Sequence, residues 1–338
     1  MVSQHEAPTG APSVARPRVV VFDPVTWSIP DWSYEVERGL LEKRGVDLVV
    51  PASMAESEAA IRDADVVIAC AIRGRVEAGH MATMKRAVGI VCYSIGMNQV
   101  DHVAAKAAGI PVTNVPFCVD EVSDHAVMLL LMAERRAQTI TTRTGNGDWS
   151  YADSPEYIQI HRLRGRTVGI IGTGRIGKQV ARKVRVFGYR TLGYDPNVPD
   201  PGDPQLEMGS LETLLAQSDA VITCADLNPT SRHIIREETL DQVRPGTIIV
   251  NIARGGLVDE RALASAIRRG QVAIAGLDVR DPEPPDPKND PLADTPPDRL
   301  ILTPHMAGGS IEARETLHTL TADVALNLLA SAGRITNA

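Results

Sequence analysis

The sequence predicts an α/β protein built on two doubly wound parallel sheets. Three observations carry this expectation. From Arg18 onward, short apolar runs alternate with longer amphipathic segments. The alternation occurs twice, and one long apolar helical stretch separates the two series. The second series opens on a glycine-rich turn held between a strand pattern and a helix pattern. A chain of 338 residues, 43% of them hydrophobic, has the size for two domains with cores of their own.

Residues 1–16 hold Pro8, Gly10 and Pro12 and little apolar character, which predicts a disordered lead. The first series has strand patterns at 18–23 (RVVVFD), 47–50, 64–72, 89–94 and 111–115. Helical patterns fall at 33–44, 76–86 and 100–108. Residues 119–141 read as one long helix, apolar nearly all round through AVMLLLMA, and so as buried. The turn-rich stretch 145–155 is the best internal linker. The second series has strand patterns at 167–171, 190–194, 220–224, 247–252, 272–279 and 300–303. Residues 280–299, rich in Pro and Asp, predict a loop, and 310–332 a closing helix.

Composition narrows the function classes. Lys and Arg number 35 against 42 Asp and Glu, a net charge of -7. A mildly acidic chain without a basic cluster argues against nucleic-acid and anionic-membrane partners. Three Trp, six Tyr and three Phe are too few for a base-stacking surface. The longest apolar run, 126–133, is too short to span a bilayer, and the N-terminus lacks a signal-peptide pattern. Cys70, Cys92, Cys118 and Cys224 form no CxxC pair, so no metal site is expected. Three of them lie in apolar runs and read as buried free thiols of a reducing, cytoplasmic compartment.

Four motifs carry chemistry. Gly172-Thr-Gly174-Arg175-Ile176-Gly177 follows the strand TVGII and opens the helix KQVARKVRVFG. A second strand then ends at Asp195, 18 residues beyond Gly177. This is the full dinucleotide fingerprint. Gly172 allows the tight turn, Gly174 a close approach to a pyrophosphate at a helix N-terminus, and Gly177 close packing of helix on strand. Asp195 would accept from the adenosine ribose hydroxyls and repel a 2′-phosphate, favouring NAD over NADP. The second motif, Asn251-Ile252-Ala253-Arg254-Gly-Gly, places Arg254 after a strand. There it serves equally well to grip a substrate carboxylate or to pair with Asp259 or Glu260. The third and fourth, with Asp278 and Glu283, and with His305 and Gly308, also follow strands. Arg254, Glu283 and His305 could therefore converge at one sheet edge as an acid/base site. Read singly, His305 is a turn histidine, Asp278 a cap and Glu283 a solvated loop carboxylate.

Together the stretches VGIIGTGRIGKQVA, IIVNIARGGLVDERAL, AGLDV…EP and ILTPHMAGGS resemble, in order and spacing, the D-isomer-specific 2-hydroxyacid dehydrogenases. The likeness covers nearly the whole chain from about Arg18. Residues 95–117 are similar to the phosphoglycerate dehydrogenase branch, and 224–233 to the C-terminal-binding-protein branch. The resemblance implies a Rossmann NAD-binding domain (116–304) inserted into a flavodoxin-like substrate domain (17–115 and 305–338). It implies that Arg254 binds the carboxylate of a 2-keto acid, that His305 is the acid/base, and that Glu283 is its partner, supporting the protonated ring near neutral pH. Asp278 would bind or orient the nicotinamide end. Ala225, Asn228, Ile252, Ala253 and Gly308 would join the cofactor residues, and Ile72, Arg73, Gly74 and Asn98 would line the substrate. Arg73 or Arg75 would meet a second anionic group, unless both are surface arginines.

The family usually carries an aromatic after Asp-Val. This chain has Arg280 and then Asp281, which would set extra charge beside Glu283 and His305 and alter substrate charge preference. The resemblance further implies a homodimer, with the helix from Val119 at the interface. The chain ends soon after its last helix, so the regulatory domain of many phosphoglycerate dehydrogenases is not expected, nor is allosteric serine control. The implied activity is reduction of a small 2-keto acid such as glyoxylate, hydroxypyruvate, or a phosphorylated or dicarboxylate analogue. A specialised biosynthetic keto acid and an NAD(H)-sensing scaffold with little turnover are the other readings.

Overall fold

The computed structural model describes residues 16–27, 31–70, 74–150 and 160–336. The expected lead at 1–16 lies almost wholly outside the described residues, as do Ile72 and Arg73 and part of the expected linker. The chain divides into two units, Met1–Phe117 with Arg314–Ala338, and Cys118–Ala313.

The first unit holds a five-stranded sheet, all of its pairings parallel. Its strands are β1 (Arg18–Phe22), β2 (Asp47–Val49), β3 (Val66–Ala69), β4 (Gly89–Cys92) and β5 (Val112–Asn114). The order β2-β1-β3-β4-β5 is that of flavodoxin-like sheets. Alternate residues of β1 point to opposite faces, and both faces are covered. Val19 and Val21 enter one apolar cluster, Val20 and Phe22 the other. The connecting helices are α1 (Glu35–Glu42), α2 (Met54–Ala60), α3 (Ala78–Met81) and α4 (His102–Ala108). Ser53 caps α2, Asp101 caps α4, and Gly109 closes α4 at φ +69°.

The second unit opens on α5 (Val119–Glu134) and α6 (Ala137–Gly145). The single helix expected over 119–141 is broken at Arg135 and Arg136. Arg136 adopts φ +52°, a turn made without the glycine or proline that would announce it. The seven-stranded sheet comprises β6 (Thr167–Ile171), β7 (Arg190–Tyr194), β8 (Leu206–Met208), β9 (Ala220–Thr223), β10 (Thr247–Asn251), β11 (Val272–Leu277) and β12 (Leu300–Leu302). Its order, β12-β11-β10-β9-β6-β7-β8, is the Rossmann order with one further strand. The short edge strand β8 was not foreseen, because three residues with Glu207 exposed carry no periodic signal. Between strands run α7 (Arg175–Val186), α8 (Leu211–Gln217), α9 (Glu237–Leu240) and α10 (Glu260–Arg268). Ser210 caps α8 and Asp259 caps α10.

The closing helix α11 (Ile311–Ser331) belongs to the first unit from Arg314 on. Leu317, Ala322, Ala325 and Leu329 enter that unit's core. His318 Nδ1 lies 2.8 Å from buried Glu37 Oε1, which also accepts from Tyr93 Oη at 2.7 Å. The expected division at 115/116 and 304/305 therefore falls at 117/118 and 313/314. The reason is local to residues 305–307. The His305 N–H donates to the Asp278 carbonyl, and the Met306 and Ala307 N–H groups donate to the Asp278 carboxylate. That turn is tied to β11.

Candidate active site

All the motif residues of the second unit sit where parallel strands end. Ligands bind α/β sheets along that edge. The strand order reverses between β6 and β9, and Gly172 follows β6 there. Its φ is +94°, and a Cβ on it would lie 2.5 Å from the Ala225 amide nitrogen. Only glycine permits that turn. A Cβ on Gly177 would lie 2.0 Å from the Gly172 carbonyl oxygen, so Gly177 seats α7 on the turn. Gly174, the N-cap of α7, has nothing within 4 Å of a built Cβ. The N-terminus of α7 thus opens on free space, with Arg175 exposed and Ile176 half-buried beside it. Free N–H groups and the helix dipole there suit a pyrophosphate.

Asp195 follows β7. Its Oδ2 accepts from the Thr173 N–H and its Oδ1 from the Asn197 N–H, each at 2.9 Å. The carboxylate is thereby fixed against the glycine turn, with lone pairs left for a ribose diol. The residues fit a bound dinucleotide. Asn228 is exposed, and its Oδ1 accepts from Thr230 N, Thr230 Oγ1 and Ser231 N, so that atom is committed to its own turn.

Arg254 is delivered by a buried asparagine at the end of β10. Asn251 accepts from Thr223 Oγ1 at 2.7 Å and from Ala253 N at 3.1 Å, and donates to the Arg254 carbonyl at 2.9 Å. Ile252 is buried and Ala253 half-buried in the same turn. The expected ion pair of Arg254 with Asp259 or Glu260 is not formed. Asp259 caps α10, and Glu260 is taken by Arg280. Burial lowers the pKa of the Arg254 guanidinium, against the opposing charges of Glu283 and Asp226 and the nearby Cys118. It remains a cation at any working pH. A desolvated arginine is a strong receptor for a carboxylate that arrives to share it.

His305 Nδ1 lies 2.7 Å from Glu283 Oε2. The other oxygen of Glu283 accepts from the Arg280 N–H at 2.8 Å. Burial works against the charged carboxylate. The His305 hydrogen bond, the Arg280 N–H and the charges of His305 and Arg254 outweigh it and hold the pKa of Glu283 below the ordinary value. The His305 side chain is half exposed. His305 itself adopts φ +51°. Strained backbone of this kind persists where its surroundings hold it, and here Asp278 does so. Asp278 is 1% exposed. Its Oδ1 accepts from Thr303 Oγ1 at 2.6 Å and Met306 N at 3.0 Å, and its Oδ2 from Ala307 N at 3.0 Å. His125 of α5 stands 3.3 Å from Oδ1 and 2.9 Å from Thr303 Oγ1. Asp278, expected at the nicotinamide, is thus surrounded by protein partners and braces the turn that carries His305. Gly308 packs on α5, where a Cβ would meet Cys118 Sγ at 2.8 Å.

The charge expected from Arg280 and Asp281 beside the His305 pair is a correction. Arg280 is buried, its guanidinium on Glu260 and Asp290. Asp281 pairs with Arg232 at 3.3 Å. Neither presents a free charge to Glu283. Asn251, Thr303 and His125 were not foreseen as site residues, and Arg280 was foreseen as a charge rather than as a support. Asn251 and Thr303 stand inside the motifs already quoted, and His125 is a lone polar ring in an apolar helix pattern.

In the first unit the strand order reverses between β1 and β3. Asp23 follows β1, is buried with φ +54°, and accepts from the Gly74 N–H at 3.0 Å through Oδ2. The expected substrate loop therefore leaves β3 at the ligand-binding edge of that sheet. Arg75 is exposed, and one of its N–H groups donates to the Val100 carbonyl at 3.3 Å. Asn98 lies in an exposed turn. Cys70, Cys92 and Cys118 are buried, Cys224 is partly so, and burial pushes each thiol up to about 12. Thiols raised this way are poor nucleophiles. Among the described residues no group of His, Cys, Asp and Glu could hold a metal ion, and no helix is long and apolar enough to cross a membrane.

Comparison with known proteins agrees with this fold. Residues 127–307 match the D-isomer specific 2-hydroxyacid dehydrogenase NAD binding domain. A glyoxylate reductase of Thermofilum pendens is 34% identical over 322 residues, 91% of this chain and 90% of that one. Among solved structures, a glyoxylate reductase from Paecilomyes thermophila aligns with a TM-score of 0.82 at 27% identity, covering 96% of this chain and 98% of that one. A D-lactate dehydrogenase from Aquifex aeolicus, complexed with NAD and lactic acid, aligns at 0.78 and 25% identity, covering 93% and 96%. The chain belongs to the D-isomer-specific 2-hydroxyacid dehydrogenases, the class that its two parallel sheets and dinucleotide fingerprint define. Its cofactor is NAD, and its reaction is an oxidoreduction between a 2-keto and a 2-hydroxy acid.

Proposed function

We propose that the protein reduces a small 2-keto acid, glyoxylate foremost, with Arg254 holding the carboxylate, His305 giving the proton and Glu283 as the partner of His305. The single observation that carries this reading is the 2.7 Å bond from His305 Nδ1 to Glu283. The carboxylate of Glu283 also feels the charge of Arg254. Bound NADH supplies the hydride. The two N–H groups on one edge of the Arg254 guanidinium take the substrate carboxylate side by side and so fix the direction of its 2-carbonyl. With Nδ1 engaged, the Nε2 proton of His305 passes to the carbonyl oxygen as it becomes a hydroxyl. In the reverse direction the neutral ring takes that proton back. The ionised Glu283 stabilises the ring's positive charge and holds its plane. Asp278 acts on this step through the turn 305–307.

The identity of two relatives as glyoxylate reductases supports a small substrate. The Asp195 carboxylate supports NADH over NADPH. The four buried or partly buried free thiols fit the cytoplasm. A homodimer is supported by apolar side chains left in solvent on the second unit. Met128 is 38% exposed, Ile140 39% and Trp149 80%. Light scattering at twice the chain mass checks it.

The decisive experiment is NADH oxidation against glyoxylate, pyruvate, hydroxypyruvate, oxaloacetate and a phosphorylated keto acid, with His305→Asn as control. Turnover on one of them that the control loses supports the reading. Tight NADH binding with no turnover on any would replace it with a cofactor-sensing scaffold.

A further inference from the structure

Arg280 follows Asp278 and Val279 just beyond β11, and its side chain turns away from Glu283. Its Nε donates to Glu260 Oε1 at 2.7 Å, and its Nη2 donates to Glu260 Oε2 at 2.8 Å and to Asp290 Oδ1 at 2.6 Å. The Arg280 and Glu260 side chains are 7% and 6% exposed. Glu260 is the first residue of α10, directly after its cap, and also lies 3.4 Å from the Asp281 N–H. The Arg280 backbone N–H meanwhile donates to Glu283 Oε1. A Cβ on Gly255 would lie 2.0 Å from the Arg280 carbonyl, so the segment carrying Arg254 and the segment carrying Glu283 touch backbone to backbone at this residue. The groups whose charges bear on Glu283 are His305 and Arg254. Those bearing on Arg254 are Glu283, Asp226 and Cys118. The charge of the Arg280 side chain is spent on Glu260 and Asp290.

We propose that Arg280 is a positioning residue for proton transfer. Its buried fork on Glu260 and Asp290 pins the path from β11 to Glu283, so that the Arg280 N–H stays on Oε1 and Oε2 stays on His305. This rests on the reductase reading above for its catalytic consequence, not for its geometry. A buried bidentate pair resists rotation. Losing it frees residues 280–283, lets the N–H drift from Glu283, and brings the carboxylate back toward its ordinary pKa.

Removing one partner alone leaves a buried charge and risks the fold. The principal variant is therefore Glu260→Met with Arg280→Met in an Asp290→Asn background, which replaces the pair by apolar side chains of like size, leaves no unpaired charge at position 290 and keeps an acceptor for the Leu292 N–H. Arg280→Met alone is the second. The expected result is a kcat lower by about ten- to a hundredfold, since small misplacements of catalytic groups cost that much. KM for NADH stays within about twofold, and the acid limb of kcat/KM moves up by about half a pH unit or more. Glu283, followed by carboxyl-carbon NMR and assigned with Glu283→Gln, titrates higher by the same amount. A folded principal variant that keeps both the acid limb and the Glu283 titration of the parent overturns the proposal, however much stability it loses. If the parent turns over no keto acid, the reductase reading fails, and the NMR titration still decides the positioning role.

Discussion

Replacing Asp278 by Asn separates two roles for that residue, and the structure gives the size of the effect. Its carboxylate accepts from the Thr303 hydroxyl and from the Met306 and Ala307 N–H groups. Asparagine keeps one acceptor and turns an NH2 toward donors on the other side. At least one charge-assisted bond is then lost, worth about 1.5–3 kcal/mol. Those bonds hold His305 at φ +51°. If about 2 kcal/mol of the loss reaches the transition state, kcat falls about 30-fold. The same loss lowers the melting temperature of the second unit by about 4–8 °C. The assay is steady-state NADH oxidation on the best keto acid, with NADH binding followed separately by fluorescence. A brace of the His305 turn leaves NADH affinity within about threefold of the parent while kcat falls. A large rise in the NADH dissociation constant at unchanged kcat would refute this reasoning and support the expected nicotinamide contact.

Three further outcomes are expected. Gly255→Ala sets a Cβ 2.0 Å from the Arg280 carbonyl and 2.5 Å from the Asp281 nitrogen, both backbone. The two loops must part, at about 1–3 kcal/mol by thermal or urea unfolding and with about a hundredfold loss of kcat. The pKa of Glu283 is lowered in the fold. Its contribution to stability is therefore present above the unfolded carboxylate value and is lost as pH falls through the folded one. Activity that needs the ionised group persists to a pH below the ordinary carboxylate pKa before it drops, and a rate-against-pH profile shows that limb abolished by Glu283→Gln. Asp195→Ala removes the acceptor of two N–H groups and the carboxylate expected at the ribose. KM for NADH rises by about ten- to a hundredfold while preference over NADPH shrinks, as paired saturation curves would record.

The fold was legible because its signals are local. Each strand of a doubly wound sheet is buried on both faces and prints an apolar run in the chain, as RVVVF and TVGII do for β1 and β6. The glycine turn was legible because its three glycines fall at fixed spacing between a strand pattern and a helix pattern. What escaped depends on partners distant in sequence. The helix break at Arg136 has no glycine or proline, and β8 is an edge strand of three residues. Nothing in the sequence around Arg280 says that its guanidinium finds Glu260, 20 residues earlier, and so turns from the site. Charge counted along a chain says little about charge presented in space, and that is why the expected field beside Glu283 does not arise.

A further regularity emerges when the carriers of Arg254, Glu283 and His305 are set side by side. Each stands on a loop, and His305 and Glu283 are half exposed, a poor setting for geometry that chemistry needs within a fraction of an ångström. In each case a buried polar side chain at or near a strand end holds the backbone of that loop. Asn251 at the end of β10 holds residues 253–254, Asp278 after β11 holds 306–307, and Arg280 just beyond ties 280–281 to α10. The side chains of Glu283 and His305 stay accessible while their backbone inherits the rigidity of the parallel sheet. Substitutions at these three braces are then expected to lower kcat much more than cofactor affinity, since each fixes the backbone of a residue to which the proposed reaction gives a role.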